Sequence, residues 1–105
     1  MEKELGKITA ISFGRNSDRP FLFGLELTLT GKGWGTFTTI NANMSDACEW
    51  TEEQRNAAFF EVCRKIYKLL RDANVNSVYE LIGKPIEVIF ENNMLRDYRI
   101  LTEVL

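Results

Sequence analysis

The sequence predicts an α+β fold: an antiparallel sheet of about five strands, in the order β-β-β-α-α-β-β, with one long and one short helix on one face. Three observations predict it. Phe21, Phe23, Leu25, Leu27 and Leu29 recur at period two, which sets five large apolar groups on one side of a pleated strand. Phe59, Val62, Cys63, Ile66, Leu69, Leu70 and Ala73 recur at three-and-four spacing, which marks one amphipathic helix. The C-terminal apolar runs flank Asn92-Asn93-Met94 and read as a hairpin.

Gly6 to Gly14 is rich in β-branched residues and forms the first strand, with Ile11 and Phe13 on the face of Thr9 and with Ile8 and Ala10 on the other. The polar connector Arg15-Asn16-Ser17-Asp18-Arg19-Pro20 joins it to the Phe21–Leu29 strand as a long hairpin, because Pro20 stops a strand running through. Gly31-Lys32-Gly33-Trp34-Gly35 is a glycine-rich turn, and Thr36 to Ile40 is a short third strand. Asn41 to Trp50 has no period and is expected to be irregular.

The helix start is well marked. Thr51 is the expected N-cap, Gln54 completes a capping box, and Glu52 and Glu53 lie where the helix dipole favours anions. The helix should end near Asn74. Ser77 and Glu80 repeat the capping pattern before Gly83, giving a second helix of about two turns whose Leu81 and Ile82 dock on the sheet. In the tail, a three-residue loop would face Val88 with Tyr98, Ile86 with Ile100 and Glu87 with Arg99. That register pairs apolar with apolar and opposite charges with each other. The strands would be Pro85 to Glu91 and Leu95 to Val104. No linker or repeat interrupts residues 1–105, so one domain is expected.

The 105 residues are enough for one core without staples, since a chain of this size buries roughly 65% of its unfolded surface. Hydrophobic residues make up 45% and charged residues 27%, as in ordinary globular proteins. The net charge of −2 has the wrong sign for an electrostatic grip on nucleic acid. No apolar run is long enough to span a bilayer, and the charged start MEKELGK shows no secretory signal, so a cytoplasmic setting is expected. Without histidine the chain has no Ser-His or Cys-His nucleophile pair and no histidine metal site. Two cysteines cannot supply a thiolate site of four ligands. No catalytic residue, metal or cofactor is expected.

The remaining candidates are contact residues. Trp34 and Lys32 could stack on and neutralise a planar anionic ligand, or the tryptophan could fold back over the sheet edge, which is the favoured reading. The phosphate-loop spacing is missing. Arg15 and Arg19 could fork onto phosphate, though a solvated loop with Asp18 paired to an arginine explains them better. Asp46, Glu49, Glu52 and Glu53 form an acidic stretch that suits a basic partner, with Trp50 inside it. Cys48 lacks a base and is read as a bystander; Cys63, on the apolar face, is read as core.

The segments DRPFLFGLELTLTGKGWG, CEWTEEQR and LIGKPIEVIFENNMLRDYRILTEVL resemble a family of small accessory proteins of bacteriophage and prophage genomes. The resemblance carries no catalytic residues. It implies a short phage reading frame expressed in the bacterial cytoplasm, and by context a binder that inhibits a host defence protein. The alternative is a small-ligand binder that sequesters a nucleotide signal. A free edge at the third or last strand could also pair two chains as a homodimer.

Overall fold

The computed structural model describes residues 1–46 and 49–104. Five strands form one antiparallel sheet: β1 (Glu2–Arg15), β2 (Leu22–Gly31), β3 (Trp34–Asn43), β4 (Pro85–Glu91) and β5 (Met94–Ile100). Their spatial order is β3-β2-β1-β4-β5, so β1 is central and the edges are β3 and β5. The single α-helix among the described residues, α1 (Glu52–Ala73), lies mainly against β3 and also touches β5, across the hollow of a curled sheet. The α+β class and the antiparallel sheet stand as expected.

β2 carries the core. Leu25, Leu27 and Leu29 are fully shielded, and Leu27 lies between Ile11 of β1 and Thr38 of β3. Phe21 falls outside β2 and is exposed, so the apolar row is one residue shorter at its start than the alternation predicts. From the helix, Val62, Leu69 and Ala73 close over this row, and Ile86, Val88 and Ile100 extend it through β4 and β5.

The faces of β1 need a correction. Ile8 pairs with Leu29 and Ile11 with Leu27, so both face the core, although period two separates them. A bulge at Thr9 inserts one residue between Ile8 and Ala10 and rotates the rest of the strand onto the core face. The Thr9 hydroxyl lies 2.8 Å from that of Thr30 on β2, which holds the extra residue against its neighbour.

The C-terminal hairpin has the expected register, with Ile86 opposite Ile100, Glu87 opposite Arg99 and Val88 opposite Tyr98. Its loop differs. Asn92 (φ 53°) and Asn93 (φ 64°) form a two-residue turn, and a bulge at Arg96 restores the register that such a turn would otherwise shift by one. β5 stops at Ile100, and Thr102–Val104 is a 3-10 turn. Other boundaries also move. β3 runs on to Asn43, through residues expected to be irregular. The second helix is only a 3-10 turn, Val78–Leu81, which buries Leu81 but leaves Ile82 exposed.

α1 begins and ends as its caps dictate. Gln54 N–H donates to Thr51 Oγ1 at 3.1 Å, and Thr51 N–H donates to Gln54 Oε1 at 2.9 Å. Asn74 (φ 56°, ψ 48°) closes the C-terminus in the left-handed conformation. Cys63, expected in the core, is exposed: the helix rests on the curled sheet along a narrow line through Ala58, Val62, Leu69 and Ala73, and Cys63 lies beyond its edge. Cys48 lies outside the described residues.

Candidate functional site

The predicted contact residues separate to opposite ends of the strands. Leu22 pairs with Asn43 at one end of the β2–β3 ladder, and Gly31 pairs with Trp34 at the other. Ten-residue strands make that separation about 30 Å. Lys32 and Trp34 therefore share no surface with Arg15, Arg19, Glu49, Trp50, Glu52 and Glu53.

At the Lys32 end, the chain turns through Lys32 and Gly33, and the indole of Trp34 folds back over the sheet. A Cβ placed on Gly31 would lie 2.3 Å from Trp34 Cε2, so the indole rests directly on that glycine. It also meets Phe90 edge-on, with ring centroids 5.3 Å apart. Its Nε1 is buried with no hydrogen-bond partner among the described residues. Lys32 stays in solvent. Seated this way, the indole is a packing group between β2, β1 and β4. It is not a free stacking platform.

At the other end, three segments converge. The connector after β1 is folded by Asn16, whose Oδ1 accepts the N–H groups of Asp18 and Arg19, each at 2.9 Å, and whose Nδ2 donates to Glu26 at 3.2 Å. Among the described residues Asp18 has no ion pair, so the expected Asp18–arginine pair is replaced by this side-chain turn. Met44 N–H donates to Phe21 O at 2.7 Å and extends the β2–β3 ladder past its last pair. The first turns of α1 then lie alongside. Asn43, Met44, Glu52, Arg55, Asn56 and Phe59 line an open hollow of about 500 Å³.

This end is apolar as well as acidic. Phe13 stands edge-on to Phe23 at 5.4 Å, and Phe23 meets Phe59 at 6.5 Å. Phe13, Phe21, Met44, Trp50 and Phe59 remain between 39% and 52% exposed. Glu49 precedes Trp50, and Glu52 lines the hollow beside Phe59. Glu53 is one position on and turns about 100° away, onto the outer face of the helix. Among the described residues no three of Cys, Asp or Glu converge to hold a metal ion.

A feature the sequence reading missed lies between the sheet edges. Thr38–Ile40 of β3, Lys65, Lys68, Leu69 and Asp72 of α1, and Asp97–Ile100 of β5 border a groove of about 390 Å³. Only curling of the sheet brings strands third and last in sequence to one helix. Arg99 donates to Glu87 at 3.1 Å and to both oxygens of Glu103 at 3.0 and 3.1 Å. These bonds hold the exposed Glu103 carboxyl below the usual range and raise the guanidinium. Burial, with Asp97 adding to it, pushes the Tyr98 hydroxyl up to about 12.

Because the folded Tyr98 holds its proton above its ordinary value, its contribution to stability is complete below pH ~10 and is lost as pH rises toward ~12. Tyr98→Phe should remove that loss. Between pH ~9 and ~11 the native protein should lose ~1.4 kcal/mol more than the variant. Urea unfolding of both proteins at the two pH values checks this, and equal losses would contradict it.

Taken together, the fold and site define a small α+β domain with an exposed apolar–acidic end. Among the described residues no helix is long and apolar enough to cross a membrane. Compared with protein-family models, curated protein sequences and solved structures, the chain matches none.

Proposed function

We propose that the protein acts by binding another protein through its apolar–acidic end, as a non-enzymatic accessory protein of phage origin directed at a bacterial defence component. One observation carries the binding reading: Phe13, Phe21, Met44 and Phe59 stay exposed at one end of the sheet beside Glu52, with exposed Trp50 two residues before that glutamate. Clustered exposed aromatics cost solvation unless a partner covers them, and they are the residues from which binding hot spots are built. Glu52 and Arg55 line the same hollow, so charges of both signs flank the apolar patch and fix the orientation of a partner with complementary charges. The bacterial setting rests on the resemblance of the three quoted segments to phage and prophage proteins. The nucleotide-sequestering alternative loses its support, since the indole meant to stack on a base is seated on Gly31 and Phe90.

The test compares affinity capture from bacterial lysate by the native protein, by Phe59→Ser, by Glu52→Lys, and by Phe37→Ser. Phe37 is 67% exposed on the sheet face away from α1 and serves as the control. One protein should be held by the native and control proteins and lost from the other two. With that protein purified, each site variant should raise Kd about tenfold or more. No specific capture, or equal loss from the control, would overturn the reading.

A further inference from the structure

We propose that α1 also carries a self-association face, through which two copies of this chain pair with their helices antiparallel about a two-fold axis. The face is separate from the apolar–acidic end and from the free strand edges.

A helix resting on one sheet needs one apolar stripe, and α1 has two. The inner stripe runs through Val62, Leu69 and Ala73. The outer one runs through Phe60, Cys63 and Tyr67, spaced three and four apart, with Phe60 62% and Tyr67 66% exposed. At 100° per residue these three lie within about 60° of one another, with Phe60 and Tyr67 roughly opposite Val62 and Cys63 about 100° from it. Their spacing is that of a coiled-coil seam. No described element covers them.

The charges at the ends of this stripe identify the occupant. Glu53 lies seven residues before Phe60, and Arg71 lies four residues after Tyr67; both share the outer face, one near each end of the helix. Glu53 has no ion pair among the described residues, and Arg71 has only a 3.6 Å contact with the adjacent Asp72. A two-fold axis between Cys63 and Arg64 sets Phe60 level with the partner's Tyr67. It also brings Glu53 within about one turn of the partner's Arg71, on the same side of the seam. Each of these contacts then occurs twice. Cys63 meets the partner's Cys63 on the opposite side of the seam, while Arg64 is held off it by Glu61 at 3.2 Å. A parallel pair would instead oppose like charges at both ends. The stripe is therefore complementary to a second copy of itself only when the copies run in opposite directions.

A seam along one helix of 22 residues is at the small end of stable interfaces, which points to a micromolar dimer. Sedimentation equilibrium on the purified protein, from micromolar to submillimolar concentration, should show a shift from 12.1 kDa to twice that mass. Phe60→Glu and Tyr67→Glu should each raise the dimer Kd ~30-fold or more. Both sites are exposed, so far-UV circular dichroism, and Tm measured at concentrations where the native protein is monomeric, should be unchanged. Glu53→Lys should weaken the dimer about fivefold, and adding Arg71→Glu should restore it. On a Cys48→Ser background, a short bismaleimide should join the two copies through Cys63. A monomer throughout the range, or a dimer that persists in both glutamate variants, would overturn the proposal. Because no partner protein is present, neither result depends on the apolar–acidic end.

Discussion

Gly24→Ala should cost about 3–5 kcal/mol of folding stability, a large share of what a domain of this size holds. Gly24 sits in β2 with φ 157°, between Gly14 of β1 and Asn41 of β3. A Cβ there would lie 2.1 Å from Ile40 O and 2.7 Å from Asn41 Cα. Both are backbone atoms, so no rotamer change relieves the contact. The β2–β3 ladder would have to part beside Ile40, a core residue. Gly14→Ala is the matched control: φ is 147° there, but beyond its own chain neighbours no described atom lies within 4 Å of the added carbon. Backbone strain alone should make its cost ~1–3 kcal/mol. Urea unfolding followed by circular dichroism measures both. Equal costs would mean that conformation, and not close approach, selects glycine at residue 24.

The second large effect is a coupling. Gly31→Ala should cost about 2–3 kcal/mol in the native chain, because the added carbon meets Trp34 Cε2 and Nε1 at 2.3 Å and drives the indole off the sheet. Trp34→Ala should cost about 3 kcal/mol through lost packing on Phe90 and the strand beneath. In the doubly substituted chain the alanine at residue 31 meets no ring, and its added cost should fall to near zero. The coupling energy should then be about 2 kcal/mol, well above what independent sites show. Additive costs would contradict the packing role given to Trp34 and would return the indole to consideration as an exposed stacking group.

These glycines show where reading the chain residue by residue stops. The run Gly31-Lys32-Gly33-Trp34-Gly35 is visible as a turn, but two glycines that make room for one indole look the same as two that only release the backbone. The second of the pair beneath the ring, Gly6, lies 25 residues before Gly31. Likewise, the helix start with its capping box follows from Thr51 and Gln54, since both partners lie within one turn. Ile8 and Ile11 share a face only because Thr9 is an extra residue against β2, and a bulge is a property of two strands.

The contact surface divides the same way. Glu49, Trp50 and Glu52 lie close in sequence and remain close in space. Lys32 and Trp34, equally conspicuous, end a whole strand length away. The alternation of Phe23 to Leu29, the amphipathic period of α1 and the charge pairing of Glu87 with Arg99 were legible because each is a local or nearest-strand relation, set by backbone geometry and solvent. The curl of the sheet was not. It left Cys63 outside the core, and it left one stripe of α1 without a covering surface. It also set β3 and β5 along one groove. Those outcomes depend on how far a twisted sheet closes around a single helix, which is a sum over all its strands and is written at no one position in the chain.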